Sequence, residues 1–139
     1  MAPRRRRTSP TDTVRTLVHV RDGGRCVRCN SSSNLTIHHR VNRGMGGARE
    51  EWINEPQNLL LVCTTCNGWF EDHPRESYSH GWKVRRPMLP GEMVVRYPGG
   101  TDYALHPDGS RSRVTPEPAA TESAQRFDGT TICVTGGAR

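Results

Sequence analysis

The chain has 139 residues, of which 32% are hydrophobic, with 14 glycines, 10 prolines and a formal net charge of +6. That length suits one modest domain with a thin core, so a metal or disulfide staple is expected. No apolar run reaches the roughly 18 residues of a membrane span, and no hydrophobic stretch follows the first basic residues. Both features argue against a membrane or secreted protein and point to a reducing, cytoplasmic compartment.

Residues 1–10 carry Arg4 to Arg7 and read as a basic arm without fixed structure, either gripping DNA backbone or simply solvated. Lys83 is the only lysine among 20 basic side chains. This arginine bias suits phosphate recognition, although a GC-rich genome produces the same bias. From Pro10, Val14, Leu17, Val18 and Arg21 recur at helical spacing until Gly23 and Gly24 end the run. Cys26 and Cys29 then form a tight knuckle, and residues 35–39 alternate as a short strand ending in His38 and His39.

Residues 42–57 form a loop containing Gly44, Gly46 and Gly47. Residues 58–62 are a second, apolar strand running into Cys63 and Cys66. Residues 67–79 fit a helix that Pro74 must kink or end, with Trp69 and Phe70 facing inward. Residues 81–84 are extended. Residues 92–97 and 101–106 flank Pro98, Gly99 and Gly100 as a β-hairpin. Beyond Pro107 the composition turns to Pro, Ser, Thr, Ala and Glu, and the tail is expected to be disordered.

Two Cys-x-x-Cys pairs, Cys26/Cys29 and Cys63/Cys66, carry the strongest signal. A two-residue gap lets both thiolates reach one ion at about 2.3 Å, and two such knuckles complete a closed, structural tetrahedron suited to zinc. Disulfides suit secreted chains and a redox dithiol suits a βαβ setting, so both are weaker alternatives. Cys133 stands alone as a free thiol.

A zinc ribbon needs only a hairpin between its knuckles, yet 33 residues separate Cys29 from Cys63. Adjacent strand residues point to opposite faces, so His38 and His39 cannot easily share one metal but can divide labour between a metal and a phosphate. A neutral imidazole can deprotonate water, while a divalent cation stabilises the charge that builds on a phosphate. Here the sequence resembles the HNH endonucleases, in His38-His39 ending the first strand, Asn58 opening the second, and Asn67 directly after the second knuckle.

The resemblance implies an α+β fold, the small ββα-metal (His-Me finger) domain, here with a structural Cys₄ zinc site, a carboxyl-terminal hairpin and disordered termini. It implies His39 as general base, His38 and Asn67 as ligands of a catalytic divalent cation, and Asn58 as a brace for the loop between the strands. The family usually has histidine where this chain has Asn67. A carbonyl oxygen there favours magnesium or manganese over softer ions. His73 is the nearest substitute ligand, but six residues along a helix is a different face. The resemblance spans about residues 11–86 and includes the Arg43 to Gly47 loop and Gly81-Trp82. These stretches look like HNH proteins of actinobacterial phages and their hosts, a likeness that implies DNA as substrate and suggests work beside a phage terminase.

Arg40, Arg43 and Arg49 are candidate phosphate contacts flanking the glycine-rich loop, which could equally be an ordinary flexible segment. Trp52, Trp69 and Trp82 read as packing residues, and Arg85 and Arg86 as a basic track or a solvated face. The expected organisation is a basic arm (1–10), a nuclease domain with its zinc clamp (11–86), a hairpin extension (87–110) and a disordered tail (111–139). The expected function is metal-dependent endonucleolytic hydrolysis of DNA phosphodiesters. The alternative is a non-catalytic zinc-stapled module that binds DNA or protein.

Overall fold

The computed structural model of the protein describes residues 9–43 and 50–115. Helix α1 (Asp12–Arg21) begins where Thr11 turns extended and its hydroxyl accepts the Val14 N–H at 3.2 Å. Such a cap contributes about 1 kcal/mol. After the first cysteine knuckle, β1 (Leu35–His39) pairs antiparallel with β2 (Leu59–Cys63). Between them, two short 3-10 turns, Glu51–Asn54 and Pro56–Asn58, order the end of the segment expected to be loop. Asn58 therefore closes a turn immediately before β2 rather than opening the strand.

Pairing puts Ile37 opposite Leu61 and His39 opposite Leu59 on one face, with Thr36 opposite Val62 and His38 opposite Leu60 on the other. All five residues of β2 are buried. Leu59 and Leu61 pack with Val14 and Val18 of α1. Leu60 and Val62 pack with Phe70 and Trp82, and with Val95, Tyr97 and Leu105 beyond. The ribbon is thus covered on both sides, which explains why β2 is continuously apolar instead of alternating.

The helix expected over 67–79 is two helices, α2 (Thr64–Asp72) and α3 (Pro74–Ser79), broken at His73. Pro74 lacks the N–H that a continuous helix needs, and it starts α3 at the position where that lack is harmless. The expected hairpin is present as β3 (Val95–Tyr97) and β4 (Thr101–Leu105), but a third strand, β5 (Arg111–Val114), extends it into a meander. The start of the tail is therefore ordered through residue 114. Its side chains are exposed, so no alternation of burial marks it in the sequence. The basic arm through residue 8, the glycine-rich stretch 44–49, and 116–139 with Cys133 lie outside the described residues.

A buried ion pair joins these layers. Arg21 grips Asp22 with two nitrogens, at 2.8 and 3.0 Å, and also donates to the carbonyls of Pro56 and Leu59. Asp22 in turn accepts from the Leu61 N–H and the Tyr97 hydroxyl, tying α1 to β2 and the meander. Every charge is matched and each oxygen is hydrogen-bonded, the condition under which a buried pair is tolerated. Among the described residues no helix is long and apolar enough to cross a membrane.

Candidate metal centres and the histidine pair

Cys26, Cys29, Cys63 and Cys66 converge, with all four sulfurs within 4.8 Å of one another. The Cys29 and Cys63 sulfurs are 3.7 Å apart, and a tetrahedral ion with 2.3 Å bonds needs an edge of about 3.8 Å. The four cysteines can therefore hold a structural metal such as zinc. Within each knuckle the first sulfur accepts the backbone N–H of the second cysteine, Cys26 from Cys29 and Cys63 from Cys66. Asn30 takes a left-handed φ of 68°, which lets the chain turn tightly out of the first knuckle.

Arg28 extends this cluster. Its Nη1 lies 3.4 Å from the Cys66 sulfur, and its guanidinium stacks 3.5 Å from the centre of the Trp69 ring. Four thiolates around a divalent ion leave a net charge of −2, and Arg28 offsets part of it. His73 stacks on the same tryptophan and hydrogen-bonds to the Trp69 carbonyl. That partner makes Nδ1 the donor and leaves Nε2 with its lone pair, so the hydrogen bond does not disqualify His73 as a ligand.

The expected second site, the histidine pair, lies at the end of β1. His38 is 4% exposed, tilted against Phe70. Its Nε2 lies 2.8 Å from the Trp82 carbonyl, and its Nδ1 lies 3.0 Å from Asn67 Oδ1. A carbonyl can only accept, so Nε2 carries the hydrogen and Nδ1 presents a lone pair. Burial pushes this imidazole down to about 4, outweighing the opposing hydrogen bonds, so the ring is neutral at physiological pH. Two lone pairs thus face each other from Nδ1 and Oδ1. Adjacent ligands of an octahedral ion with bonds of about 2.1 Å are about 3.0 Å apart, a spacing that a hydrogen bond between the two groups shares.

His39 faces the other side of the ribbon. Its Nε2 meets Asn54 Oδ1 at 2.8 Å. With the amide oxygen accepting, Nε2 carries the hydrogen and Nδ1 is left as a base. Burial lowers the pKa of this imidazole, helped by the positive charges of Arg43 and Arg15. Asn54 and Arg15 went unnoticed in the sequence, since nothing in a loop or on a helix surface advertises a partner across the fold.

Asn58 is fully buried. Its Oδ1 accepts the Val41 N–H at 2.8 Å and its Nδ2 donates to the Ile53 carbonyl at 2.9 Å. It therefore clamps the exit of β1 to the turn that carries Asn54, and so fixes His39 relative to its partner.

One candidate is corrected by the structure. Arg40 is 0% exposed, and its guanidinium donates to the carbonyls of Gly81, Gln57, Pro90 and Met93 at 2.7 to 2.8 Å. It is a structural pin between β1 and the segment leading into the meander, and it cannot swing out to a DNA phosphate. Arg43 is exposed and close enough to His39 to influence it. Arg49 lies outside the described residues. No protein-family model, curated protein or solved structure matches this chain.

Proposed function

We propose that the protein is a metal-dependent DNA endonuclease of the HNH kind, stapled by a structural Cys₄ zinc site. The observation that carries the reading is the His38–Asn67 pair, a neutral imidazole nitrogen and an amide oxygen 3.0 Å apart, both offering lone pairs. Magnesium or manganese suits an oxygen-containing set of this size. When bound, such an ion supplies charge stabilisation to the phosphate and the departing oxygen.

The chain's own residues do the rest. His39 Nδ1 takes a proton from water as the resulting hydroxide attacks phosphorus. The bond from phosphorus to the 3′ oxygen breaks, and that oxygen takes up a proton to leave a 3′-hydroxyl and a 5′-phosphate. Asn54 fixes the tautomer of His39, as an orienting partner does for a histidine base. Asn58 holds the two in register, and Arg15 and Arg43 place positive charge beside the base, where a phosphate would sit.

One observation favours a different reading, the non-catalytic zinc module. His38 is nearly wholly buried, and rotating the Asn67 amide would turn the same contact into an ordinary N–H···N hydrogen bond. Supercoiled plasmid separates the two. Wild type with magnesium or manganese should nick or linearise it, and His39→Ala should fold, retain zinc and not cut. DNA binding without metal-dependent cutting would select the binding module. Repeating the assay with a phage terminase subunit present tests the proposed association.

A further inference from the structure

We propose that a pocket at the exit of β1 is a phosphate subsite that holds the DNA backbone close to the scissile bond. The inference takes its ligand from the nuclease reading. The pocket has a volume of about 300 Å³ and is lined by Arg40, Asn42, Tyr78, Lys83, Arg85 and Arg86. That is room for a phosphate and its sugar, not for a duplex, and among the described residues its walls carry four cations and no carboxylate.

Two of those cations are matched. Lys83 pairs with Glu71 at 2.9 Å, and Arg86 pairs with Glu50 while donating to the Asn42 carbonyl. Arg85 and Arg40 have no ion pair among the described residues. Arg40 is wholly buried, and carbonyl dipoles alone accept from its guanidinium. Those bonds use four of its five N–H groups. A buried positive charge without a counterion at a pocket wall favours an anion at the mouth.

Arg85 is the exposed partner in that binding. Its guanidinium lies 4.2 Å from the centre of the Tyr78 ring, which holds it in place before any ligand arrives. A planar guanidinium suits the paired oxygens of a phosphate.

Position ties the pocket to the chemistry. The Trp82 carbonyl holds His38, and the Val84 N–H donates to the Arg40 carbonyl at 2.9 Å, so the segment carrying Arg85 runs beside the end of β1. Arg85 lies three positions after Trp82, at most about 11 Å of chain, so the pocket and the histidine can meet one stretch of backbone.

The test measures binding of full-length protein to a fluorescent DNA duplex over a series of chloride concentrations, in a His39→Ala background that keeps the duplex intact. Arg85→Gln should weaken binding several-fold and lower the slope of log affinity against log salt by about 0.9, one phosphate contact. Arg85→Lys should restore most of the slope. Arg113→Gln, on exposed β5, should leave it unchanged.

An unchanged slope in Arg85→Gln, or an equal loss in Arg113→Gln, would overturn the subsite. So would an Arg85-dependent rise in Tm with inorganic phosphate, at matched ionic strength, without any change in the DNA slope, since that marks a small-anion site. If wild type never cuts DNA yet Arg85→Gln loses one phosphate contact, the nuclease reading falls and the subsite stands. If wild type cuts while the slope is unaffected, the reverse holds.

Discussion

Asn54 presents its amide oxygen to His39 Nε2 at 2.8 Å, from a turn that Asn58 pins to the exit of β1. That contact leaves Nδ1 as the basic nitrogen. The pKa of His39 is lowered, first by burial and then by Arg43 and Arg15. A base works only when neutral, so cleavage should rise with pH through the folded pKa and level off above it. Because that pKa lies below the ordinary value of about 6.5, the rate should already be near its plateau at neutral pH. A pH–rate profile under saturating magnesium with a midpoint above that value would contradict the assignment of His39.

Replacing the orienting amide separates positioning from proton affinity. Asn54→Asp puts a carboxylate on Nε2–H, which favours the imidazolium and should move the acid limb of the profile to higher pH. Asn54→Ala frees the ring, and cleavage should fall about 10- to 100-fold with little change in DNA affinity. A purely structural Asn54 would lower stability in both variants and leave the midpoint where it was.

Gly81 has φ of +74°, and a Cβ there would lie 1.8 Å from the Val94 carbonyl oxygen. Its own carbonyl accepts from Arg40 Nε, so the pin and the close approach are one device. Gly81→Ala should cost about 3 kcal/mol or more, from backbone strain plus the clash. Arg40→Lys should be similarly harmful despite keeping the charge, since an ammonium cannot reach four carbonyls spread around a planar fork. Urea unfolding of zinc-loaded protein reads both. Wild-type stability in Arg40→Lys would mean that the four hydrogen bonds contribute little.

The cysteine cluster should hold one zinc per chain. Metal binding in such sites contributes about 10–16 kcal/mol of apparent free energy in small zinc domains, so a strong chelator should unfold the protein. Cys63→Ser should do the same through the lost zinc ligand alone, since serine can still cap α2. Cobalt substitution should give the absorption of a tetrahedral tetrathiolate. A folded, fully helical protein in chelator would refute the staple.

Legibility in the sequence followed the range of each interaction. The cysteine knuckles were readable because both partners of each lie three residues apart. The opposed faces of His38 and His39 were readable from the two-residue period of a strand. Asn58 as a brace came only through the resemblance to the HNH pattern; its hydrogen bonds to Val41 and Ile53 are contacts across the fold that no local pattern announces. Arg40 was misread because an arginine flanking a glycine-rich loop suggests phosphate, whereas four carbonyls from three distant segments converge on it only in the folded chain. Asn54 belongs to the same class. β5 was missed because an exposed edge strand of Arg, Ser, Arg and Val carries no hydrophobic alternation.

Asn67 is the position where the proposed metal preference can be altered with least disturbance, since it is half-buried on α2 and, among the described residues, its side chain hydrogen-bonds only to His38. Asn67→Asp keeps the shape and replaces a neutral oxygen with a charged one, so magnesium should bind more tightly and cleavage should need less of it. Asn67→His replaces oxygen with nitrogen and should shift activity towards softer ions such as nickel or zinc. Asn67→Leu should fold, keep its structural zinc and lose both magnesium binding and cutting. Calorimetric titration of the zinc-loaded protein with magnesium or manganese reads all three. If none of these variants changes divalent binding or the metal dependence of cleavage, His38 and Asn67 share only a hydrogen bond, and the catalytic cation must be sought elsewhere.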